Sequence, residues 1–301
     1  MDDPSAIEPW LESVRRWLLV ESPQSLRLFD MFANEARFAI QWLEPSLKDL
    51  RPGAEILEVG AGLGLVSCHL AACGFRVCAL EPIGDGFSSF GALQGLVLQF
   101  AREQGCCPEV LDCRAEVLAS EDRFELAFSV NVMEHVDDVG LALTRIARAL
   151  RPGGTYRFTC PNYSFPYEPH FDIPTLWSKR LTERVFRRRI LHSRQIEDQV
   201  GMWQSLNWIS VRQVRSAVKA DPALTVRFDT TMIARTFERV GADPAFAARR
   251  SRWLVVFARW LVASRLHRVL AWIPAGLQPV IDCHLLRGHH SRASSTAGAL
   301  T

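Results

Sequence analysis

From Glu55 to Pro161, short apolar runs alternate with amphipathic stretches, which predicts strands and helices in turn. "EILEV" reads as a first strand, "LVSCHLAAC" as a helix ended by Gly74, and "FRVCALE" as a second strand. "PEVLDC" suggests a short third strand, "FELAFSV" a fourth, "DVGLALTRIARAL" a helix, and "TYRFTC" a fifth strand. Strands that alternate with helices in this way argue for a parallel sheet with helices on both faces. Upstream, Trp10, Val14, Trp17 and Leu18 keep the spacing of one helix face, and Ser22-Pro23 interrupts the run.

After Pro161 the pattern loosens. "PNYSFPYEPHFDIP" carries too many prolines for a helix or a central strand and reads as a shaped loop. Trp177 to Lys219 looks helical and basic, while "ALTVRFDT" and "PVIDCHLLR" resume strand character. The chain thus divides into N-terminal helices (1–50), an α/β core (51–161) and a segment holding the loop, basic helices and last strands (162–287). A polar tail (288–301) is expected to be disordered.

Composition changes little. With 48% hydrophobic and 23% charged residues and a net charge of +2, the 301-residue chain is ordinary globular material, too near neutral to imply nucleic acid. Eight scattered cysteines without a Cys-x-x-Cys pair argue against zinc ligation and disulfides, so no metal site is expected. The opening "MDDPSAIEPW" has no apolar h-region, and no long uncharged apolar run follows. A cytoplasmic location is therefore expected, with or without peripheral contact to a membrane.

The first stretch that carries chemistry is "ILEVGAGLG", where a strand ends in Gly60, Gly62 and Gly64. Glycine there allows a tight turn and close approach of backbone N–H groups to a ligand. A dinucleotide fingerprint would need glycine or alanine at position 65, which is Leu, and no Gly-Lys-Ser/Thr follows for a phosphate loop. Glu81 closes the second strand, where a carboxylate can accept from both ribose hydroxyls. Glycines and acid together suit a nucleoside without a pyrophosphate.

These residues resemble the E/D-x-G-x-G-x-G signature of class I S-adenosylmethionine-dependent methyltransferases. "FELAFSVNVMEHVDD" is similar to that family's fourth-strand motif, and "ALRPGGTYRFTCPN" to its helix, turn and fifth strand. The resemblance implies a mostly parallel, seven-stranded Rossmann-like sheet, with the last two strands forming a reversed edge hairpin; the stretch between those two strands reads as an enlarged helical cap or insertion. It implies S-adenosylmethionine as cofactor, held by Glu58, Gly60, Ala61, Gly62 and Gly64, with Glu81 on the ribose. Ser129 and Asn131 are implied beside the cofactor at the end of the fourth strand. Related sequences carry Gly-Asp-Ala-Glu near the adenine; here the stretch is "CRAE", so Arg114 replaces the expected Asp and Glu116 is the candidate to take over.

The acceptor is set by residues outside those motifs. His170 in the proline-rich loop is the favoured general base, since imidazole titrates near neutrality, with Tyr163, Glu168 and Asp172 as partners. His135, in "MEHV", is the second candidate, on a stretch read as the opening of a helix. His69 reads as structural. The reading is O-methylation of a hydroxyl on a hydrophobic, lipid-linked or glycan-type metabolite. N- or C-methylation of a small molecule and an inactive cofactor-binding scaffold are the alternatives.

Two basic segments bear on partners. "WSKRLTERVFRRRILHSR" reads first as a solvated face, and no nucleic-acid-binding module accompanies it. The stretch 249–273 combines Trp253, Trp260 and Trp272 with arginines, and Arg249 to Arg268 carries no acid. On a helical wheel its apolar residues do not keep to one stripe. A peripheral membrane helix, a buried cap helix and a homodimer contact all remain open for it.

Overall fold

The computed structural model describes residues 3–82, 88–176, 178–193, 196, 198–242 and 252–289. Seven strands form one sheet: β1 (Glu55–Val59), β2 (Arg76–Leu80), β3 (Glu109–Leu111), β4 (Phe124–Val130), β5 (Leu150–Pro161), β6 (Leu224–Phe228) and β7 (Val280–Arg287). Their order is β3-β2-β1-β4-β5-β7-β6, and only β7 runs antiparallel to its neighbours. β1 and β2 are buried over all but their first residue, which is why their sequences are apolar runs and not alternations.

Helices cover both faces. α1 (Glu8–Glu21), α2 (Leu26–Lys48), α3 (Leu65–Ala72) and α4 (Ser88–Glu103) lie on one side. There Leu11, Val14, Leu18, Phe29, Ile40 and Leu43 share a core with Ile56 and Phe128. α5 (Val139–Ala149), α7 (Gln199–Ser205) and α8 (Val211–Lys219) close the other side, against Tyr156, Phe158 and Ile281. Pro161 ends β5, paired with Val280, and from 162 to 176 the chain is irregular, with a single bridge, Glu168 to Ile173, to organise the loop.

α2 is fastened to the sheet by a buried ion pair. Arg157 of β5 donates to the Trp42 carbonyl at 2.5 Å, stacks 4.2 Å from the Trp42 ring, and lies 3.6 Å from Asp282 of β7. The Trp42 indole N–H also donates to Asp282, at 3.0 Å. Such a pair, held by extra donors, orients elements more than it adds net stability.

The basic region from Lys179 onward is divided into α6 (Lys179–Leu191), α7 and α8. Between β6 and β7 stand α9 (Met232–Ala242), α10 (Arg252–Ala263) and a 3-10 helix, Leu266–Trp272. None of the eight cysteines is in a disulfide. Among the described residues no helix is long and apolar enough to cross a membrane. Most of the tail expected to be disordered, 290–301, lies outside the described residues; Gly288 donates its N–H to the Ala223 carbonyl.

Candidate functional site

The loop after β1 turns through three left-handed glycines, Gly60, Gly62 and Gly64, with φ of 72°, 56° and 75°. A Cβ at Gly60 would collide with Val132, from the loop after β4, so only glycine lets these two strand ends close on each other. The N–H groups of Gly60 and Ala61 reach the Leu80 carbonyl at 2.7 and 3.1 Å, which ties the loop to the end of β2. Glu81 follows directly, and its carboxylate accepts from the Gly62 N–H at 2.8 Å. Gln94 of α4 donates to the Gly62 carbonyl at 2.7 Å. A Cβ at Gly62 would meet nothing nearer than Phe32, at 3.9 Å, so this part of the loop borders open space.

Glu58 behaves differently from its glycine neighbours. It is buried and accepts from the Ser67 hydroxyl of α3. Burial raises its carboxyl to about 8, against the Ser67 hydrogen bonds that pull the other way. Its side chain therefore braces the helix behind the loop, and its backbone lies in β1. Ser129 is also withdrawn: fully buried, with its hydroxyl 2.7 Å from the Tyr156 hydroxyl. Its side chain points into the core between β4 and β5, so only its main chain is at the strand end. Asn131 is exposed there, with φ 55° and its N–H on the Thr159 carbonyl.

Glu116 accepts from the N–H groups of Asp137 and Asp138, at 2.7 and 3.2 Å, and thereby fixes the loop before α5. Arg114 forms an ion pair with Asp137. Arg114, and Glu116 through Oε1, thus hold the neighbouring loop.

Past β4 the chain makes a turn, not the start of a helix: Glu134 and His135 precede α5, whose N-cap is Asp138. The turn places them beside the proline-rich loop. The His135 and His170 rings lie 5.6 Å apart, edge to face. His170 Nδ1 is 2.6 Å from Glu168 Oε1. Glu168, fully buried, also accepts from the N–H of His170 (3.1 Å), the N–H of Phe171 (2.7 Å) and the Tyr163 hydroxyl (3.3 Å). The loop is thus wrapped around one carboxylate, and His170 is carried on it.

Burial alone would lower the His170 pKa, but the hydrogen bond and charge of Glu168, aided by Glu134 and Glu35, leave it raised. His135 goes the other way, down to about 4, through burial and then the nearby His170 charge. Its Nδ1 lies 2.8 Å from the Ser205 hydroxyl. Glu134 is fully buried, neither carboxyl oxygen has a hydrogen-bond partner, and burial raises it to about 7. Glu134, His135 and His170 offer three ligand atoms within 4.8 Å of one another, a set that could also accommodate a cation. Glu35 of α2 is accessible to solvent, yet burial raises its carboxyl while the nearby His170 charge pulls the other way.

Sequence reasoning missed Glu35, which lies in a helix outside the recognised motifs, and the buried role of Glu134. Asp172, offered as a partner, instead accepts from the Tyr167 hydroxyl at 2.8 Å and pairs with Arg189 at the surface. His69 is buried with Nε2 3.0 Å from the Pro4 carbonyl, as a structural histidine would be.

The groups around Gly62 fit the cofactor suggested by the motifs: a carboxylate at the end of β2 and a glycine loop bordering open space. Comparison with known proteins agrees. The sequence model of the methyltransferase domain matches residues 31–220. An uncharacterized protein of Mycobacterium tuberculosis is 44% identical over 94% of this chain and 96% of its own length. A ubiquinone biosynthesis O-methyltransferase of Rickettsia conorii is 29% identical over 47% of this chain and 45% of its own. A solved S-adenosylmethionine-dependent methyltransferase from Mesorhizobium loti has a TM-score of 0.49 and 15% identity, covering 82% of this chain and 98% of that one. The chain belongs to the methyltransferase domain family and is a class I S-adenosylmethionine-dependent methyltransferase.

Proposed function

We propose that the protein O-methylates a hydroxyl group of a hydrophobic, lipid-linked or glycan-type metabolite, with His170 as general base. The observation that carries this reading is the 2.6 Å contact between His170 Nδ1 and Glu168 Oε1. A carboxylate on Nδ1 fixes the tautomer in which Nε2 holds the free lone pair. N- or C-methylation has less need of such a base. The O-methyltransferase of Rickettsia conorii, matched over part of the chain, supports the same reaction class.

In this reading Glu81 takes the ribose hydroxyls, and Gly60, Ala61, Gly62 and Gly64 line the amino-acid end of the cofactor. When bound, S-adenosylmethionine supplies a methyl group on a positively charged sulfur. His170 Nε2 would take the proton of the acceptor hydroxyl, whose oxygen would then accept the methyl group as the sulfur–methyl bond breaks and the sulfur leaves as a neutral thioether. Glu168 stabilises the imidazolium that results, and its donors from Tyr163, His170 and Phe171 keep it in place. Glu35 and Glu134 add negative charge around that cation. Positioning of the two reactants contributes most of the acceleration, and the base a further ~10²–10⁴-fold.

The test is mass spectrometry of products formed from isotopically labelled cofactor and fractionated lipid and glycolipid extracts. A labelled methyl ether supports the reading, whereas a labelled methyl ester would point to a carboxylate acceptor that needs no base. A labelled methyl on nitrogen or carbon would replace it with the small-molecule alternative, and cofactor binding without any product would favour a scaffold.

A further inference from the structure

The segment between β6 and β7 exposes apolar residues on two consecutive elements, each at its own helical period. On α10 they are Trp253 (71% exposed), Val256, Phe257 and Trp260. At about 100° per residue these four fall within about 100° of arc. Ala258, on the far side of the helix, and Leu261, beyond the margin next to Phe257, are buried. On the 3-10 helix the exposed residues are Leu266, Val269 and Trp272 (84% exposed), three apart, which makes a single ridge at three residues per turn. The sequence pattern alone had shown no stripe because the helix ends at Ala263 and Arg265 adopts a left-handed conformation, so one wheel cannot describe both elements.

Arginines follow the same registers. Arg252 and Arg259, seven apart, share one margin of the α10 stripe. Arg268 lies beside the ridge of the 3-10 helix, and Arg265 stands at that helix's N-cap. All four are exposed, and the sequence from Pro244 to Ile281 contains no Asp or Glu. Arg252, Trp253, Val256, Phe257 and Trp260 border a shallow groove of about 500 Å³. Beneath the stripe, His267 is buried, 2.8 Å from Glu238 of α9, and Phe237 of α9 meets Phe257 edge to face. The face is therefore presented from a built support.

We infer that this face docks on an anionic lipid surface, with the tryptophans in the interface and the arginines at the headgroups. Indole rings and long cationic side chains suit that boundary, one apolar and one wet. A negatively charged leaflet complements a margin of arginines with no acid among them. A second copy of the chain is a poorer occupant, because a self-complementary contact would bring in both copies' arginines and no acid from this segment to meet them. Since no described helix can span a bilayer, the contact lies along the surface. The inference rests on this face alone and does not depend on which acceptor is methylated.

The experiment is co-sedimentation of the full chain with vesicles of phosphatidylcholine alone or mixed with phosphatidylglycerol. Wild type is expected to bind the mixed vesicles and to be released by added salt. The triple variant Trp253→Ser, Trp260→Ser, Trp272→Ser should bind about tenfold more weakly or worse. An unchanged affinity for S-adenosylmethionine would show that this variant is folded. Equal binding to both vesicle types, no binding to either, or undiminished binding by the folded variant would overturn the inference. So would a concentration-dependent dimer, seen by ultracentrifugation and abolished in the variant, which would give the face to a second copy.

Discussion

His170 is held through Nδ1 by Glu168 at 2.6 Å, while Glu168 is itself held by two backbone N–H groups and the Tyr163 hydroxyl. A buried carboxylate with that many donors orients its imidazole without needing water. In the proposed reading the proline-rich loop is a rigid mount for one nitrogen lone pair.

If His170 is the base, His170→Ala should lower turnover by about 10²–10⁴-fold. Glu168→Gln keeps the shape and should cost less, through a weaker base and a less stable imidazolium. Neither change should alter cofactor affinity much, since the hydrogen bonds of both side chains lie within the proline-rich loop. Single-turnover kinetics at saturating cofactor checks this, and a full rate in His170→Ala would remove the base from the account.

The pH profile follows from the same pair. A base must be neutral to act, and Glu168 holds the His170 pKa above its usual 6.5, so the rate should fall as pH drops through that raised value. Glu168→Gln should move the acid limb toward lower pH while reducing the plateau. An acid limb that does not move would show that another group sets it.

Chelation separates two uses of one cluster. Glu134, His135 and His170 are close enough to hold a cation, yet a proton-accepting His170 needs none. Turnover should survive exhaustive treatment with EDTA. Loss of activity that magnesium, manganese or zinc restores would reassign the cluster from proton transfer to metal binding.

Glu58 offers a stability test. Its folded carboxyl sits at about 8, above the ordinary 4.5, so the folded chain keeps a proton that the unfolded chain releases. That contribution is full below about 4.5 and is lost as pH rises to about 8. Glu58→Gln does not titrate, so wild type should lose stability relative to the variant over that window in chemical denaturation. A constant difference between the two would show that Glu58 is ionised against Ser67.

The fold was legible where the chain obeys local rules. The buried strands around Glu55–Val59 and Arg76–Leu80 are apolar runs, and the three glycines mark the turn at which the β1 and β4 ends meet. The site was legible only in part. Glu81 and His170 could be named from position and chemistry, but the neighbours that define their environments come from long-range contacts. Glu35 sits on α2, far from every motif, and Ser205 meets His135 across about seventy residues of chain. Ser129 shows the opposite case: a residue at a motif position whose hydroxyl is taken by Tyr156 of the next strand. The stripe on α10 was hidden for a local reason, the change of helical period at Arg265.

The most direct measurement is calorimetric titration of S-adenosylmethionine into wild type, Glu81→Ala and His170→Ala, with NAD as control. Tight binding by wild type and His170→Ala, about tenfold or more weaker binding by Glu81→Ala, and no response to NAD are predicted. Glu81→Ala binding as well as wild type would contradict the placement of the cofactor at the Gly62–Glu81 corner.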